Sequence, residues 1–372
     1  MKYAHITGWG MAVPEKIMTN DDISELVETN DEWIRSRTGI AERRIANEEE
    51  SSATLAVDAA LRALEVANLK AADLDLVIVA SSSPEHTFPA TASLVQDRIG
   101  AKNAGAFDLS AACTGFIFAT NMAAQSIRSG AIQNALVIGA ETLSRFVDWT
   151  DRNTCILFGD GAGAFVLQAN EEPGGVISEV MHSDGSGGDL LSLPAGGSKL
   201  PASEATVRDG LHYVQMDGKG VFRFATRVMA RATKEALEKA NWEAEELDLV
   251  IPHQANIRII EAAARGLKLP MDKFMVNLDR YGNTSTASIP IATVEAFESG
   301  RLKAGDKVVM VGFGGGLTWG ALAAVWSGPL PSEKKVRHGW YLFLARIRSV
   351  LLRAVRVVEG YLWGDYGRNV KK

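Results

Sequence analysis

A layered α/β fold made of two copies of one unit is what this sequence predicts, on three observations. Leu64 to Ile78 (LEVANLKAADLDLVI) and Leu237 to Ile251 (LEKANWEAEELDLVI) are identical at ten of fifteen positions, at a constant offset of 173 residues. The same offset places Leu136-Val137-Ile138-Gly139 on Val309-Met310-Val311-Gly312. The strands read as short continuous apolar runs separated by helical stretches, the pattern of mostly parallel sheets covered on both faces. A spaced match with collinear neighbours is an internal repeat rather than two generic strands that look alike. Two such halves fused face to face make a layered body with a pseudo-twofold axis.

The elements follow in order. Each repeat runs from a helix end through a polar turn into a buried strand. Ala106-Phe107-Asp108-Leu109 reads as a strand, followed by Cys113 and an apolar helix to Gly130. Gly159-Asp160-Gly161-Ala162-Gly163 reads as a turn before a strand at 164–167. Phe274-Met275-Val276-Asn277-Leu278 reads as a strand, followed by Asn283 and a helix to Gly300. Both helices end in Ser-Gly, a C-terminal stop. Gly312 to Gly320 is a glycine-rich turn that either presents N–H groups to an oxyanion or closes a tight hairpin. It lacks the Gly-Lys-Ser/Thr ending of a nucleotide-binding loop. The organisation is then 1–172 for the first half, 173–327 for the second, and 328–372 for a linker and C-terminal extension.

Composition narrows the function. The chain has 372 residues, 47% hydrophobic and 23% charged, which is ordinary globular usage. Thirty-nine Lys+Arg against 45 Asp+Glu give −6, arguing against a general nucleic-acid binder. That charge is uneven: residues 331–372 hold ten Lys/Arg and three Asp/Glu, so the extension is +7 and the rest −13. Two cysteines make no disulfide framework and fit a reducing compartment. The N-terminal apolar stretch is too short and broken for a signal peptide, and no apolar window is long enough to span a bilayer. A soluble cytoplasmic protein is expected. No His/Cys/carboxylate cluster has metal spacing.

Ligands of open α/β sheets bind beyond the carboxyl ends of strands. Cys113, in Ser110-Ala111-Ala112-Cys113-Thr114-Gly115, falls at a helix N-terminus after such a strand, where the dipole favours a thiolate and lowers its pKa below about 8.5. A buried cysteine acting as a small hydrophobe is the competing reading. Cys155 has no such setting and is read as core. His253, in Pro252-His253-Gln254-Ala255-Asn256, directly follows the second repeated strand, a place for a general acid, base or hydrogen-bond donor, with a purely structural histidine as the competing reading. Asn283, in Gly282-Asn283-Thr284-Ser285, is either a helix cap or an N–H donor to an anion. The repeat puts Cys113 and Asn283 at nearly equivalent places, so the pseudo-twofold axis gathers all three groups.

These segments, with Asp31-Glu32-Trp33-Ile34-Arg35-Ser36-Arg37-Thr38-Gly39-Ile40, Phe158 to Gly163 and Gly312 to Gly320, resemble the thiolase superfamily. Within it the chain is similar, from about residue 3 to 327, to the beta-ketoacyl-acyl-carrier-protein synthase III family of acyltransferases. The resemblance implies an α-β-α-β-α fold. It implies a condensation that initiates type II fatty acid synthesis, with a short acyl-CoA and malonyl-acyl carrier protein as substrates and no cofactor. Cys113 would carry the acyl group, His253 and Asn283 would stabilise the enolate, and the N–H groups of Cys113 and Gly315 would form the oxyanion hole. Trp33 and Arg152 would sandwich the adenine of CoA, with Thr29 and Arg37 at the tunnel mouth. Gly218, Phe222, Ala255 and Asn256 would line the pantetheine channel. Gln254 and Arg258 would dock the carrier protein. Arg223, Arg227 and Arg231 recur every four residues on one predicted helix face beside Lys219, and either support that docking or form a solvated helix face. Phe88 would close the acyl pocket from the partner of a homodimer and restrict it to an acetyl-sized primer.

Two rivals are disfavoured. A type III polyketide synthase also uses Cys, His and Asn, but the Gly314-Gly315-Gly316 run and the basic stripe fit it less well. A papain-like hydrolase has the same chain order but a different signature around its cysteine. The extension departs from the family. After a Gly328-Pro329-Leu330-Pro331 linker, Trp340 to Trp363 reads as an amphipathic helix. Trp340, Phe343, Leu344, Ile347, Leu351, Val355, Val358 and Leu362 lie on one face, with Arg346, Arg353 and Arg356 largely on another. Such a helix docks on its own protein or a partner, or lies peripherally on a membrane, unless it is a loose tail.

Overall fold

The computed structural model describes residues 2–330, 335–336 and 338–362. Two sheets are built on one plan. In the first, Tyr3–Ala12 pairs antiparallel with Gly161–Asn170, which pairs antiparallel with Asn134–Glu141. Leu76–Ala80 then runs parallel to Asn134–Glu141, and Gly105–Leu109 runs parallel at the edge. The second sheet repeats this order with Gly175–Ser183, Thr318–Val325, Lys307–Gly314 and Leu249–Pro252. Its fifth place is reduced to a single bridge between Val250 and Phe274.

The sheets are therefore mixed, not mostly parallel as the apolar runs suggest. A strand buried on both faces is a continuous apolar run in either direction, so composition does not reveal orientation. The expected strand at 274–278 is absent beyond that bridge, and Leu278–Tyr281 is helical. The expected turn at 159–163 is partly strand, because Gly161–Asn170 begins at its third residue. Gly312 and Gly320 pair across a hairpin whose strands end at Gly314 and resume at Thr318.

Helices Gly115–Arg128 and Ser288–Glu298 lie between the sheets. Both are buried on nearly every side, and their apolar residues share one core with strands of both sheets. Ser52–Val66 and Thr91–Ile99 cover the outer face of the first sheet. Gly218–Ala240 and Ile257–Leu267 cover that of the second. This is the α-β-α-β-α order.

The 173-residue offset holds in the backbone itself. It relates strand starts Leu76 and Leu249, and Asn134 and Lys307. It relates helix starts Gly115 and Ser288. It also relates the residues of positive φ: Asn68 (50°) to Asn241 (55°), and Ala112 (45°) to Ser285 (48°). The first pair are the asparagines of the sequence repeat. Each follows a helix in the left-handed conformation that asparagine tolerates, which is why both copies keep the residue.

The extension forms a helix, His338–Leu362, and packs against Thr91–Ile99. Pro331 and Trp363 lie outside the described residues. Its apolar face points into solvent.

Candidate active site

Cys113 sits in a short 3-10 turn, Ala112–Thr114, that leads from strand Gly105–Leu109 into helix Gly115–Arg128. The sharp turn needs Ala112 at φ 45°, which costs an L-residue about 1–2 kcal/mol. Gly314, the last residue of its strand, lies directly behind. A Cβ there would fall 2.7 Å from the Cys113 nitrogen, so only glycine lets the two segments meet.

The structure brings the three predicted groups together. Cys113, His253 and Asn283 line one narrow pocket of about 90 Å³, with Gly218, Phe222, Ala255 and Asn256 in its walls. A second cavity of about 340 Å³ meets it at Cys113 and is lined by Gly315, Gly316, Ser110, Phe146, Leu193 and Val214. Phe158 and Leu191 wall both.

His253 is 1% exposed. Its Nδ1 is 2.6 Å from the Ser288 hydroxyl, and its Nε2 has no partner. Burial lowers its pKa to about 3, so the imidazole is neutral at physiological pH. Asn283 is held by its backbone, donating to Leu157 O and accepting from Gly159 N. Its Oδ1 accepts from the Ser285 N–H at 2.8 Å, which leaves its Nδ2 as a free, oriented donor. The pocket thus holds a thiol, a neutral imidazole and an amide donor.

The expected low thiol pKa is not found. Burial pushes Cys113 up to about 12; a hydrogen bond with Ser285 opposes it, and the nearby Glu141 carboxylate adds a smaller push upward. A helix N-terminus lowers a pKa only modestly. Removing the sulfur from water outweighs it.

Glu141 was not visible as a site residue. It is fully buried at the end of strand Asn134–Glu141. Its oxygens accept from the N–H groups of Ser82 and Ser83, from the Ser83 hydroxyl at 2.5 Å, and from the Thr286 hydroxyl at 2.9 Å. It therefore ties the two halves together beside the nucleophile. Ser288, the partner of His253, also carried no local signal. Both depend on contacts across the duplication, which no sequence spacing displays.

Other predicted residues stand outside the pocket. Trp33 lies under the Arg152 guanidinium at 4.9 Å, with Arg37 at 5.9 Å. The Asn256 amide donates to Arg37 O, connecting this cluster to the pocket wall. Arg258 is exposed and lies over the Phe222 ring at 5.2 Å. The Thr29 hydroxyl is buried without a hydrogen-bond partner. Phe88 is 85% exposed and lines neither cavity. Gln254 is a correction. It is 1% exposed, its amide donates to Pro252 O and Met275 O, and it accepts from Asn277 N. A side chain fully used in pinning segment 275–277 has nothing left for a docking partner. Cys155 is buried in an apolar cluster, as expected of a core cysteine. Among the described residues no cluster of His, Cys, Asp and Glu could hold a metal ion.

Two copies of one unit, one giving a thiol and the other an imidazole and an amide, are the construction of thiolase-like condensing enzymes. Comparison with known proteins narrows this class. Residues 107–185 match the family model for 3-oxoacyl-[acyl-carrier-protein (ACP)] synthase III, and residues 237–326 match the model for its C-terminal part. The chain is 52% identical over 325 residues to a beta-ketoacyl-[acyl-carrier-protein] synthase III of Roseiflexus sp. (strain RS-1), covering 87% of this chain and 99% of that one. It is 55% identical over 322 residues to that of Desulfitobacterium hafniense (strain DSM 10664 / DCB-2), covering 87% and 97%. The crystal structure of 3-oxoacyl-[acyl-carrier-protein] synthase III from Aquifex aeolicus VF5 superposes with a TM-score of 0.80 at 47% identity, over 87% of this chain and 99% of that one. The Pseudomonas aeruginosa PAO1 structure gives 0.82 at 40%, over 88% and 100%. The chain belongs to the beta-ketoacyl-[acyl-carrier-protein] synthase III family.

Proposed function

We propose that this chain condenses a short acyl-CoA, of acetyl size, with malonyl-acyl carrier protein, releasing CO2 and forming 3-oxoacyl-acyl carrier protein, through an acyl group held on Cys113. The observation that carries the reading is the convergence of Cys113, His253 and Asn283 in one pocket. In the first half-reaction the Cys113 sulfur attacks the thioester carbonyl, the carbonyl–sulfur bond of the acyl-CoA breaks, and the thiol proton leaves with CoA. Because the thiol is neutral, a base must take that proton as attack proceeds. The bare Nε2 of His253 serves when Nδ1 donates to Ser288. In the second half-reaction malonyl thioester loses CO2. The Asn283 amide and a protonated Nε2 donate to its carbonyl oxygen and stabilise the enolate. The Ser288 hydroxyl can donate or accept, so it supports both neutral tautomers. The enolate carbon then attacks the acyl carbonyl, a carbon–carbon bond forms, and the Cys113 sulfur leaves as thiolate and takes one proton from solvent, the proton that the decarboxylative condensation consumes.

Cys113 and Gly315 line one cavity, and their N–H groups are the pair this reading assigns to the tetrahedral oxyanion. Trp33, Arg152 and Arg37 form the flat cationic cluster that an adenine nucleotide needs, and Thr29 adds a hydroxyl. Arg258 with exposed Lys219, Arg223, Arg227 and Arg231 presents a basic surface suited to an acidic carrier protein. Phe88, projecting from this chain, fits the reading of a homodimer in which it closes the partner's acyl pocket. No cofactor enters these steps.

The test is intact mass spectrometry after mixing the protein with acyl-CoAs of increasing length, with Cys113→Ala as control. Addition of one acetyl-sized group, absent in the variant, is expected. Labelling that persists in Cys113→Ala would refute the nucleophile, and equal labelling by long chains would refute the short primer.

A further inference from the structure

We infer that the C-terminal helix His338–Leu362 is a binding face for an anionic lipid surface, on which the helix lies parallel while its inner side holds the enzyme body. The orientation carries the argument. Toward the body the helix offers mostly polar and small groups, with half-buried Leu342 on the groove that Val57 and Leu61 also line. The Ser349 hydroxyl donates to Asp97 at 2.7 Å, Arg353 reaches the same carboxylate at 3.5 Å, and Ala345 seats against Gly100. Just ahead of the helix the Val336 N–H donates to Asn68, and Lys70 lies over the Tyr341 ring at 5.7 Å. Trp340, Phe343, Ile347, Leu351, Val355 and Val358 all stay exposed; Trp340 and Leu351 are each 59% accessible. Were the body the only partner, the hydrophobic effect would turn this stripe inward. The stripe is continuous over a helix of 25 residues, on the order of 37 Å long, and it is not recessed in any groove.

Charge chooses the occupant. The helix carries Arg346, Arg348, Arg353 and Arg356 against Glu359 alone. A second copy laid on the stripe would set two such arginine sets together with one acid each to offset them. Arg353 is held by Asp97, but an anionic surface meets exposed Arg346, Arg348 and Arg356 with opposite charge, and their long stems let the guanidinium groups reach lipid headgroups while the stripe enters the acyl boundary. Among the described residues no helix is long and apolar enough to cross a membrane, so the helix lies on the surface rather than through it. The rest of the chain, at −13, would be repelled by such a surface, which makes the +7 extension the segment that reverses the sign locally.

The experiment is vesicle flotation of the full chain with phosphatidylglycerol/phosphatidylcholine vesicles, pure phosphatidylcholine vesicles and no vesicles, with sizing of the free protein by light scattering. The double variant Ile347→Glu/Leu351→Glu is run alongside; both positions are exposed, so folding is preserved. The full chain is expected to float with the phosphatidylglycerol vesicles, about tenfold less with pure phosphatidylcholine or at high salt. The double variant is expected to remain unbound, with condensing activity in solution unchanged. Failure of the full chain to bind phosphatidylglycerol vesicles would overturn the inference, as would equal flotation of the double variant or equal binding to both vesicle types. A larger oligomer that the double variant dissolves would overturn it in favour of a second copy.

Discussion

The two halves of this molecule share a backbone and differ in what they hang on it. Ala112 and Ser285, 173 residues apart, have φ values of 45° and 48°, and each starts a turn into a buried central helix. The residue after each is Cys113 in one half and Thr286 in the other. Thr286 is spent on structure: its hydroxyl is within hydrogen-bonding distance of Ala80 O and Glu141. Glu141 itself corresponds to Gly314. At the first strand end a carboxylate fills the space against Thr286, while at the second an absent side chain leaves room for the Cys113 backbone. His253 and Asn283 correspond to Ala80 and Ser110, which carry no comparable donor pair. Duplication thus supplied two geometrically equal floors. Divergence made one hold a nucleophile, and let the opposite half furnish the groups that act on it.

Three variants and conditions sharpen this contrast. Gly314→Ala should have the largest effect. Its Cβ must displace the Cys113 nitrogen, and a shift of that size in a reacting group costs about 10²-fold in turnover. Steady-state rates check this, with Gly197→Ala, an exposed glycine with nothing near its Cβ position and no positive φ, as a control for substitution itself. Thr286→Ala should leave turnover within about tenfold but lower stability by roughly 1–3 kcal/mol in urea unfolding, because Glu141 loses a partner in a buried site. A catalytic collapse in Thr286→Ala would break the assignment of that half to structure.

The smallest effect at neutral pH is in titration. With the Cys113 pKa near 12, its alkylation by iodoacetamide in a Cys155→Ser background should keep rising through pH 10, rather than levelling above about 8.5. Linkage follows from the signs. The folded state holds the Cys113 proton more tightly than the unfolded chain, so stability falls as pH rises from about 9 toward 12. His253, depressed from 6.5 to about 3, resists protonation when folded, so its contribution is present above 6.5 and lost as pH falls toward 3.

Much of this was legible in the sequence, for physical reasons. The repeated Leu-Asp-Leu-Val-Ile strand and the shared asparagine stop are local patterns, and they located Cys113, His253 and Asn283 at strand ends. Strand direction was not legible, because doubly buried strands have no alternation to read. Glu141 and Ser288 act only across the junction of the halves, and the thiol pKa is set by burial that no neighbour in sequence reports. Gln254 sits between two site residues in the chain, yet faces the core. The extension's amphipathic pattern was plain, but which side met the body depended on Asp97, some 250 residues away.

Single-turnover chemistry of Asn283→Ala tests the division of labour most directly, with Cys113 acylation by acetyl-CoA and decarboxylation of malonyl-acyl carrier protein measured separately. Acyl-Cys113 should form at close to the normal rate while decarboxylation falls by about 10²-fold, the loss of one enolate donor. Acylation that collapses in step with decarboxylation would contradict the account.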